Sequence, residues 1–308
     1  FQSYFTVRLF MLFLFSFVPA YYLVNRFIKG DLKLMERILV YSLWVQIVIF
    51  FGMYISPELK RLLYTFFGMS DSVNLWEQNA KVRGFGLSGE INFMTPFLMI
   101  YMSFFMMKRR YALITLICLT QIVNSNMAVI AAIIGIGCSR LNINIKIATV
   151  LILGVLVYSL GAVFFPRFYD EFVSGDGTRT LDILLQQHVF VVGNLDFFNI
   201  IFGLQQNISS SIPDIKQSSD MGWVILFNYG GLTFITLFLF LIFTISIATF
   251  GMTYQAIIWM LIGIIFNTKG LVLGSNGYFF LSFIYMFLNR VTLSGQSSIT
   301  NKLGQVSK

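Results

Sequence analysis

The chain has 308 residues, of which 57% are hydrophobic and only 11% are charged, and its mean hydropathy is +0.80. Soluble domains carry about 25% charged residues, so this composition excludes an ordinary soluble protein and indicates a membrane protein with several spans. The net charge of +8 does not point to a nucleic-acid partner, because the basic residues fall in short loops between apolar runs. Cys118 and Cys138 lie in or at the end of apolar segments, which predicts free thiols without a disulfide or a metal site.

Apolar runs of about the length that crosses a bilayer follow one another along the chain. Nine spans are predicted at 5–24, 38–55, 91–107, 111–123, 127–139, 147–165, 222–247, 254–268 and 276–289. We therefore expect an all-α polytopic integral membrane protein with one helical domain over residues 1–290. The polar residues 291–308 are expected to form a cytoplasmic tail.

Residues 111–139 form an apolar run that is too long for one span. A single helix would extend about 43 Å, against a hydrocarbon core of roughly 30 Å. An Asn-Ser-Asn sequence at 124–126 interrupts the run, and these residues favour turns. Two short helices, 111–123 and 127–139, are therefore predicted with a hinge between them, shielded by neighbouring helices or lining a cavity. A single helix would instead reverse the topology of everything that follows.

Lysine and arginine are unevenly distributed between the two sides of the predicted bundle. One side holds twelve basic residues against two acids, and the other holds eight basic residues against eleven acids. Because basic residues favour the cytoplasmic side, the first side is assigned to the cytoplasm. Residues 56–90 and 166–221 then become two large external loops. The second is expected to carry short amphipathic helices that rest on the membrane surface.

The first external loop ends with VRGFGLSGE, residues 82–90. Arg83 has a planar guanidinium that can bind two phosphate oxygens at once, and the glycines around it allow close backbone approach. Glu90 is a candidate acid or base at the start of the next span. The alternative interpretation is that Arg83 and Glu90 pair with each other, or that Arg83 extends to lipid headgroups.

The second external loop contains GDGTRTLDI, residues 175–183. Its glycines predict a turn, and Arg179 would lie in the first turn of the helix that follows, where free backbone N–H groups favour anions. His188, the one histidine of the chain, lies nine residues later. It is a candidate for proton transfer or substrate binding, although a single histidine is more often structural.

A third polar group, SSDMGWVILFNYGGL at 218–232, leads into a late span. Asp220 is predicted at the N-cap position, where a carboxylate accepts backbone hydrogen bonds. Its functional interpretation is a general base at the edge of a lipid-facing cavity. Trp223 and Tyr229 are interpreted either as interfacial aromatics or as a stacking surface for a sugar.

Several familiar motifs are missing from the sequence. It has no GxxxxGK[ST] phosphate loop, no GxSxG nucleophile motif and no His/Cys/Asp cluster with metal-ligand spacing. We therefore expect no metal and no cofactor. Few charges lie at predicted mid-membrane depth, which argues against an ion pump or a proton relay.

These features, in this order and on this side, resemble the bacterial O-antigen and capsule repeat-unit polymerases of the Wzy type, which are related to O-antigen ligases. The resemblance covers about residues 38–290. It is carried by RGFGLSGEINF before a span, by GDGTRTLDI in a large external loop, and by SDMGWVILFNYGG at a late span. Met127 stands where the family often has an arginine, and nine spans are fewer than is usual, which led us to expect a missing N-terminal part.

The resemblance implies a glycosyltransferase of the bacterial cytoplasmic (inner) membrane with an external active face. It would transfer a growing glycan from undecaprenyl pyrophosphate to a new lipid-linked repeat unit, with a chain-length regulator protein as a partner beside the membrane lipids. Arg83 and Arg179 would stabilise the pyrophosphate leaving group. The proton acceptor would be Asp220 first, then Glu90, then His188.

Two alternatives stay open beside the polymerase. An O-antigen ligase, which transfers glycan to the lipid A core, shares the pyrophosphate chemistry, but Asp220-Met221 stands where that branch has a His-Asn pair. A lipid-linked oligosaccharide flippase or transporter would need polar residues along a central path and repeated halves. Neither feature is visible in the sequence, so polymerase is ranked first, ligase second and transporter third.

Overall fold

A computed structural model describes residues 5–66, 85–87, 111–124, 127–138, 141–164, 169, 196–205, 221–268, 271–273 and 277–290 of the chain. Every regular element within these ranges is a helix. By contact, the chain divides into two compact units, one of Phe1–Met35 with Leu184–Lys308 and one of Glu36–Ile183.

The helices follow the predicted apolar runs closely. In chain order they are α1 Phe5–Tyr22, which continues as the π-helix Leu23–Ile28, α2 Leu32–Ile55, α3 Pro57–Phe66, α4 Tyr111–Asn124, α5 Met127–Cys138, α6 Ile143–Phe164, α7 Phe197–Phe202, α8 Gly222–Phe250, α9 Tyr254–Phe266 and α10 278–290. Eight of the nine predicted spans thus coincide with described helices. The run 91–107 lies outside the described residues.

Four helical stretches are long and apolar enough to cross a membrane by length and composition. They are Leu9–Ile28, Leu32–Ile55, Ile143–Val163 and Gly222–Phe250. Thr115–Asn124 and Tyr254–Phe266 are apolar but shorter. The described part of the chain is therefore compatible with a helical membrane protein, and the total of nine spans stays a prediction.

The predicted break within 111–139 is confirmed. Helix α4 ends at Asn124 and α5 begins at Met127, so the polar sequence separates two helices of 14 and 12 residues. In the same unit, α6 is apolar on all sides and leaves most of its side chains exposed, including Leu151, Val155 and Val163. A helix that is hydrophobic all round and unpacked is suited to lipid contact.

The unit that contains both chain ends has an aromatic core. Phe13 and Phe17 of α1 meet Phe283 of α10 edge-on, with ring centroids 5.1 Å apart in both pairs. Trp259 of α9 stacks on Tyr278 at 5.0 Å, and the Tyr278 hydroxyl donates to the Trp259 carbonyl at 2.8 Å. These rings tie α1, α9 and α10 together. Aromatic pairs of this kind add about 0.5–1.5 kcal/mol each beyond the area they bury.

Candidate functional site

Residues 85–87, which follow Arg83 and Gly84 in the sequence, are held by side chains rather than by secondary structure. The N–H of Phe85 donates to Asn124 Oδ1 at 3.0 Å. The N–H of Gly86 donates to Met53 Sδ at 3.1 Å, and that of Leu87 donates to Gln46 Oε1 at 2.6 Å. Three consecutive backbone donors are therefore satisfied by long-range side-chain partners.

Asn124 binds Phe85 at two points. Besides accepting from the Phe85 N–H, its Nδ2 donates to the Phe85 carbonyl at 2.9 Å. The same Nδ2 lies 3.4 Å from Gln121 Oε1, and Gln121 Nε2 donates to Thr120 Oγ1 at 3.3 Å. The amide thus pairs with a peptide group much as a neighbouring strand would. Because Asn124 is the last residue of α4, the polar break both ends the helix and holds residues 85–87.

Gly86 allows the close approach that the glycines of this loop predict. Its φ of +98° is unfavourable for other residues, and a Cβ there would overlap the side-chain amide of Gln46. Gln46 is 4% exposed, and its Nε2 has no hydrogen-bond partner among the described residues. Only glycine lets the backbone lie against this buried amide.

The Phe85 ring is packed between aromatic rings and a lysine. It is 1% exposed and lies 5.4 Å from the rings of both Phe50 and Tyr54 on α2. The ammonium of Lys60 on α3 lies 3.9 Å from the centre of the ring, within the range of a cation–π interaction. Lys60 is completely buried, and burial lowers the pKa of its amine to about 7.

Helix α3 buries two polar side chains and leaves most of its other residues exposed. Lys60 and Tyr64, four residues apart, are buried, while Leu62 and Phe66 are 63% and 79% exposed. Burial raises the pKa of Tyr64 to about 12. Lys60 was missed in the sequence because it was counted only as a loop charge. Its spacing of four residues to Tyr64, which puts both on one face of a helix, is the signal that could have found it.

We name the four side chains that hold residues 85–87 the 85–87 clamp: Gln46, Met53, Lys60 and Asn124. They come from α2, α3 and α4 and all contact backbone or ring atoms of the three residues. A segment of irregular backbone this strongly specified is typical of a loop that presents functional side chains from a rigid base.

In the other unit, α8 is broken inside its predicted span. Gly231 has φ +61° and ψ −157°, which is not helical, and a Cβ there would lie 2.5 Å from the carbonyl carbon and oxygen of Ile201. A Cβ added to Gly203, which has φ +75°, would likewise lie 2.5 Å from the carbonyl oxygen of Tyr229. The Tyr-Gly-Gly sequence therefore marks a place where two backbones touch.

Backbone N–H groups just after α7 form hydrogen bonds with two carbonyls at the break in α8. The N–H of Leu204 donates to the Asn228 carbonyl at 2.7 Å, and that of Gln205 donates to the Tyr229 carbonyl at 3.0 Å. A rise of 1.5 Å per residue puts this contact about 10 Å along α8 from Gly222. Residues 166–221 were predicted to be an external loop throughout. Residues 203–205 lie beside α8, where the broken turn supplies carbonyls that accept from the N–H groups of Leu204 and Gln205, and the external position of the loop stays a prediction.

The start of α8 is fixed against the end of α9. The N-cap residue is Met221, one position later than predicted for Asp220, and its side chain makes no capping bond. The backbone N–H of Trp223 donates to the Asn267 carbonyl, and its Nε1 donates to the Ile264 carbonyl, both at 3.2 Å. Tyr229 shares a 2.6 Å hydroxyl hydrogen bond with Thr6. The polar groups of both aromatics are thus engaged within the unit.

The five residues predicted to carry the chemistry lie outside the described ranges. They are Arg83, Glu90, Arg179, His188 and Asp220. Their mutual arrangement stays a prediction, but two of them lie just before described residues. Arg83 is two positions before Phe85, and Asp220 directly precedes Met221. Within the described ranges, no three histidine, cysteine, aspartate or glutamate residues come together in a way that would hold a metal ion.

Comparison of the chain with models of protein families, with curated protein sequences and with solved structures found no match.

Proposed function

We propose that this protein is a glycosyltransferase of the bacterial inner membrane that polymerises lipid-linked oligosaccharide repeat units at the external face. The donor is the growing glycan on undecaprenyl pyrophosphate, and the acceptor is a new repeat unit on the same carrier. The proposal joins the three polar motifs of the sequence to the helical membrane architecture of the described residues.

The proposed reaction forms one bond and breaks one. A hydroxyl oxygen of the acceptor sugar attacks the anomeric carbon of the donor glycan, and the bond from that carbon to the pyrophosphate oxygen breaks. The hydroxyl proton passes to a base, with Asp220 ranked before Glu90 and His188. Undecaprenyl pyrophosphate leaves as an anion, and Arg83 and Arg179 would stabilise its growing charge.

The observation that carries the proposal is the 85–87 clamp. A guanidinium stabilises a leaving group only if it is already in place when the charge develops, and a displacement of about 1 Å can reduce a rate about 100-fold. The backbone two residues after Arg83 is fixed by hydrogen bonds to Asn124, Met53 and Gln46. This supports Arg83 as part of a rigid site rather than a surface charge that follows lipid headgroups.

The broken helix α8 does not favour the transporter alternative. Transporters use discontinuous helices whose free carbonyls and N–H groups bind the substrate or coupling ions. In this chain the carbonyls of Asn228 and Tyr229 already accept from Leu204 and Gln205. The carbonyls at the break are therefore bonded within the protein, and they are not free to bind a substrate or an ion.

The test is the lipopolysaccharide or capsule ladder of a strain that lacks the protein, complemented with wild type or variants at equal membrane levels. We expect the knockout to carry at most one repeat unit, and Arg83→Ala, Arg179→Ala and Asp220→Ala to fail to restore the ladder. Arg61→Ala is the matched control, because Arg61 is an exposed arginine of α3 in the same predicted loop.

The other outcomes separate the alternatives. Long polymer left on the lipid carrier in the knockout would identify a ligase. Repeat units confined to the cytoplasmic leaflet would identify a flippase. A normal ladder in the knockout would refute all three functions.

A further inference from the structure

The feature that the three polar motifs leave unexplained is Asn124. It is 7% exposed, lies at the polar break between α4 and α5, and has neither a charge nor a catalytic group. A helix in a membrane protein can end in many ways, and an amide at this position needs its hydrogen bonds satisfied. Asn124 finds both partners on a single residue, Phe85, which is 39 positions away in the sequence.

The pairing is specific to an asparagine. Its carbonyl oxygen accepts from the Phe85 N–H at 3.0 Å, while its amino group donates to the Phe85 carbonyl at 2.9 Å. Aspartate could accept but could not donate, and leucine, which is of similar size, could do neither. Gln121 Oε1 accepts the second hydrogen of Asn124 Nδ2. The side-chain amide of Asn124 therefore fits in only one of its two flipped orientations.

We propose that Asn124 is a positioning residue for the first external loop: it fixes the backbone of residues 85–87, which directly follow Arg83 and Gly84 in the sequence. The proposal rests on the proposed function, because Arg83 is placed in the site only there. Asn124 itself touches no substrate. It acts through Phe85, with Gln46 as the second anchor two residues further along the loop.

The energetics favour a local effect. Losing both hydrogen bonds to Asn124 should raise the opening of that backbone by about tenfold or more. The α4 helix keeps its own hydrogen bonds when Asn124 is replaced, since its side chain bonds are with Phe85 and Gln121. The loop should therefore loosen while the helix stays folded.

The experiment measures two properties of the purified full-length protein and of cells that produce it. Amide hydrogen exchange in lipid nanodiscs reports on the peptide that contains residues 85–87, and the polysaccharide ladder reports on activity. The variants are Asn124→Leu, Asn124→Asp and Gln46→Met. Ile117→Val is the matched control, because Ile117 is a fully buried residue of the same helix that lies outside the clamp.

We expect Asn124→Leu to speed exchange at Phe85 by about tenfold or more, to leave exchange in α4 unchanged, and to shorten the ladder to its first few bands. Asn124→Asp should retain part of both properties, because it keeps the acceptor. Gln46→Met should speed exchange at Leu87, and Ile117→Val should change neither property. If Asn124 only stabilised the fold, the activity of Asn124→Asp would not be expected to follow the exchange protection of the Phe85 amide.

Unchanged exchange at Phe85 in Asn124→Leu would overturn the proposal, whatever the ladder shows. Faster exchange with a normal ladder, in a background where Arg83→Ala abolishes polymer, would also overturn it while the proposed function stands. If Arg83→Ala leaves the ladder normal, the proposed role of Arg83 in that function fails. The positioning role then fails with it, and the exchange data show separately whether Asn124 holds residues 85–87.

Discussion

The buried lysine of the clamp predicts a stability that rises with pH. Lys60 has a pKa of about 7 in the folded protein, against 10.5 for an ordinary lysine, and burial is the cause. Between these two values the unfolded chain binds a proton that the folded chain does not. Stability therefore increases with pH across this window, by up to about 1.4 kcal/mol per pH unit. Below pH 7 both states are protonated and the dependence disappears.

From pH 7 to pH 9 the expected gain is about 2 kcal/mol, because Lys60 is half-protonated at the start of the range. The window ends at pH 9 so that Tyr64 does not contribute. Its pKa is raised to about 12, so the unfolded chain loses its tyrosine proton first, and this lowers stability only above about pH 10.

The assay is thermal unfolding in detergent, followed by tryptophan fluorescence at several pH values between 7 and 9. Wild type should unfold at higher temperature as the pH rises. Lys60→Met, which keeps a long unbranched side chain but no amine, should show a flatter curve by the amount attributed to Lys60. Lys33→Met removes an exposed lysine and should leave the slope unchanged. Equal slopes in wild type and Lys60→Met would refute the assignment of a lowered pKa to this amine.

Two further predictions concern the other unit. Gly231→Ala should destabilise the protein by at least about 1–3 kcal/mol, because its Cβ would meet the Ile201 backbone at 2.5 Å and the φ of +61° is unfavourable. Thermal unfolding measures this loss. Gly251→Ala is the control, because Gly251 has a similar φ of +68° but no atom near its Cβ position, so it reports the backbone strain without the overlap. Equal losses in the two variants would contradict the backbone contact. Ser282→Ala removes the hydroxyl that accepts from Trp259 Nε1 at 2.7 Å in a fully buried site. It should lower the free energy of unfolding by about 1 kcal/mol. An unchanged unfolding temperature would show that this hydrogen bond contributes nothing to stability.

The sequence predicted the positions of the helices well because the length and apolarity of a run are enough to identify a candidate membrane helix. A run near 20 apolar residues has few alternatives in a bilayer, where every backbone group must be bonded within the segment. The break at 124–126 was predictable for the same reason, since a single helix over 111–139 would have exceeded the core. Helix α4 ends at Asn124, one residue from the prediction.

Contacts between distant parts of the chain were not predictable from one sequence. Nothing in the local pattern links Asn124 to Phe85, or Leu204 to Asn228, because hydrogen bonds of this kind depend on which helices become neighbours. The inward turn of Lys60 was missed for a related reason. A charged residue in a loop is usually solvated, and only its packing under Phe85 shows otherwise.

The motif glycines were partly predictable. Gly86 was expected to permit a close approach, and it does so against Gln46. Gly231 lies within the predicted span 222–247, and the structure breaks the helix there. The paired glycines at 230–231 are the signal that would have predicted the break, since glycine pairs are a recognised cause of helix kinks.

The break in α8 at Gly231, where two carbonyls of the helix are hydrogen-bonded to residues 204 and 205, also bears on how the protein enters the membrane. Two carbonyls of α8, a helix long and apolar enough to cross a membrane, accept from the N–H groups of residues 204 and 205. These two residues leave the ribosome about twenty-five residues before Asn228 and Tyr229. An α8 that entered lipid alone would expose both carbonyls to hydrocarbon, at a cost of several kcal/mol for each. We therefore expect α8 to enter the bilayer together with residues 204 and 205, rather than alone with these residues docking later.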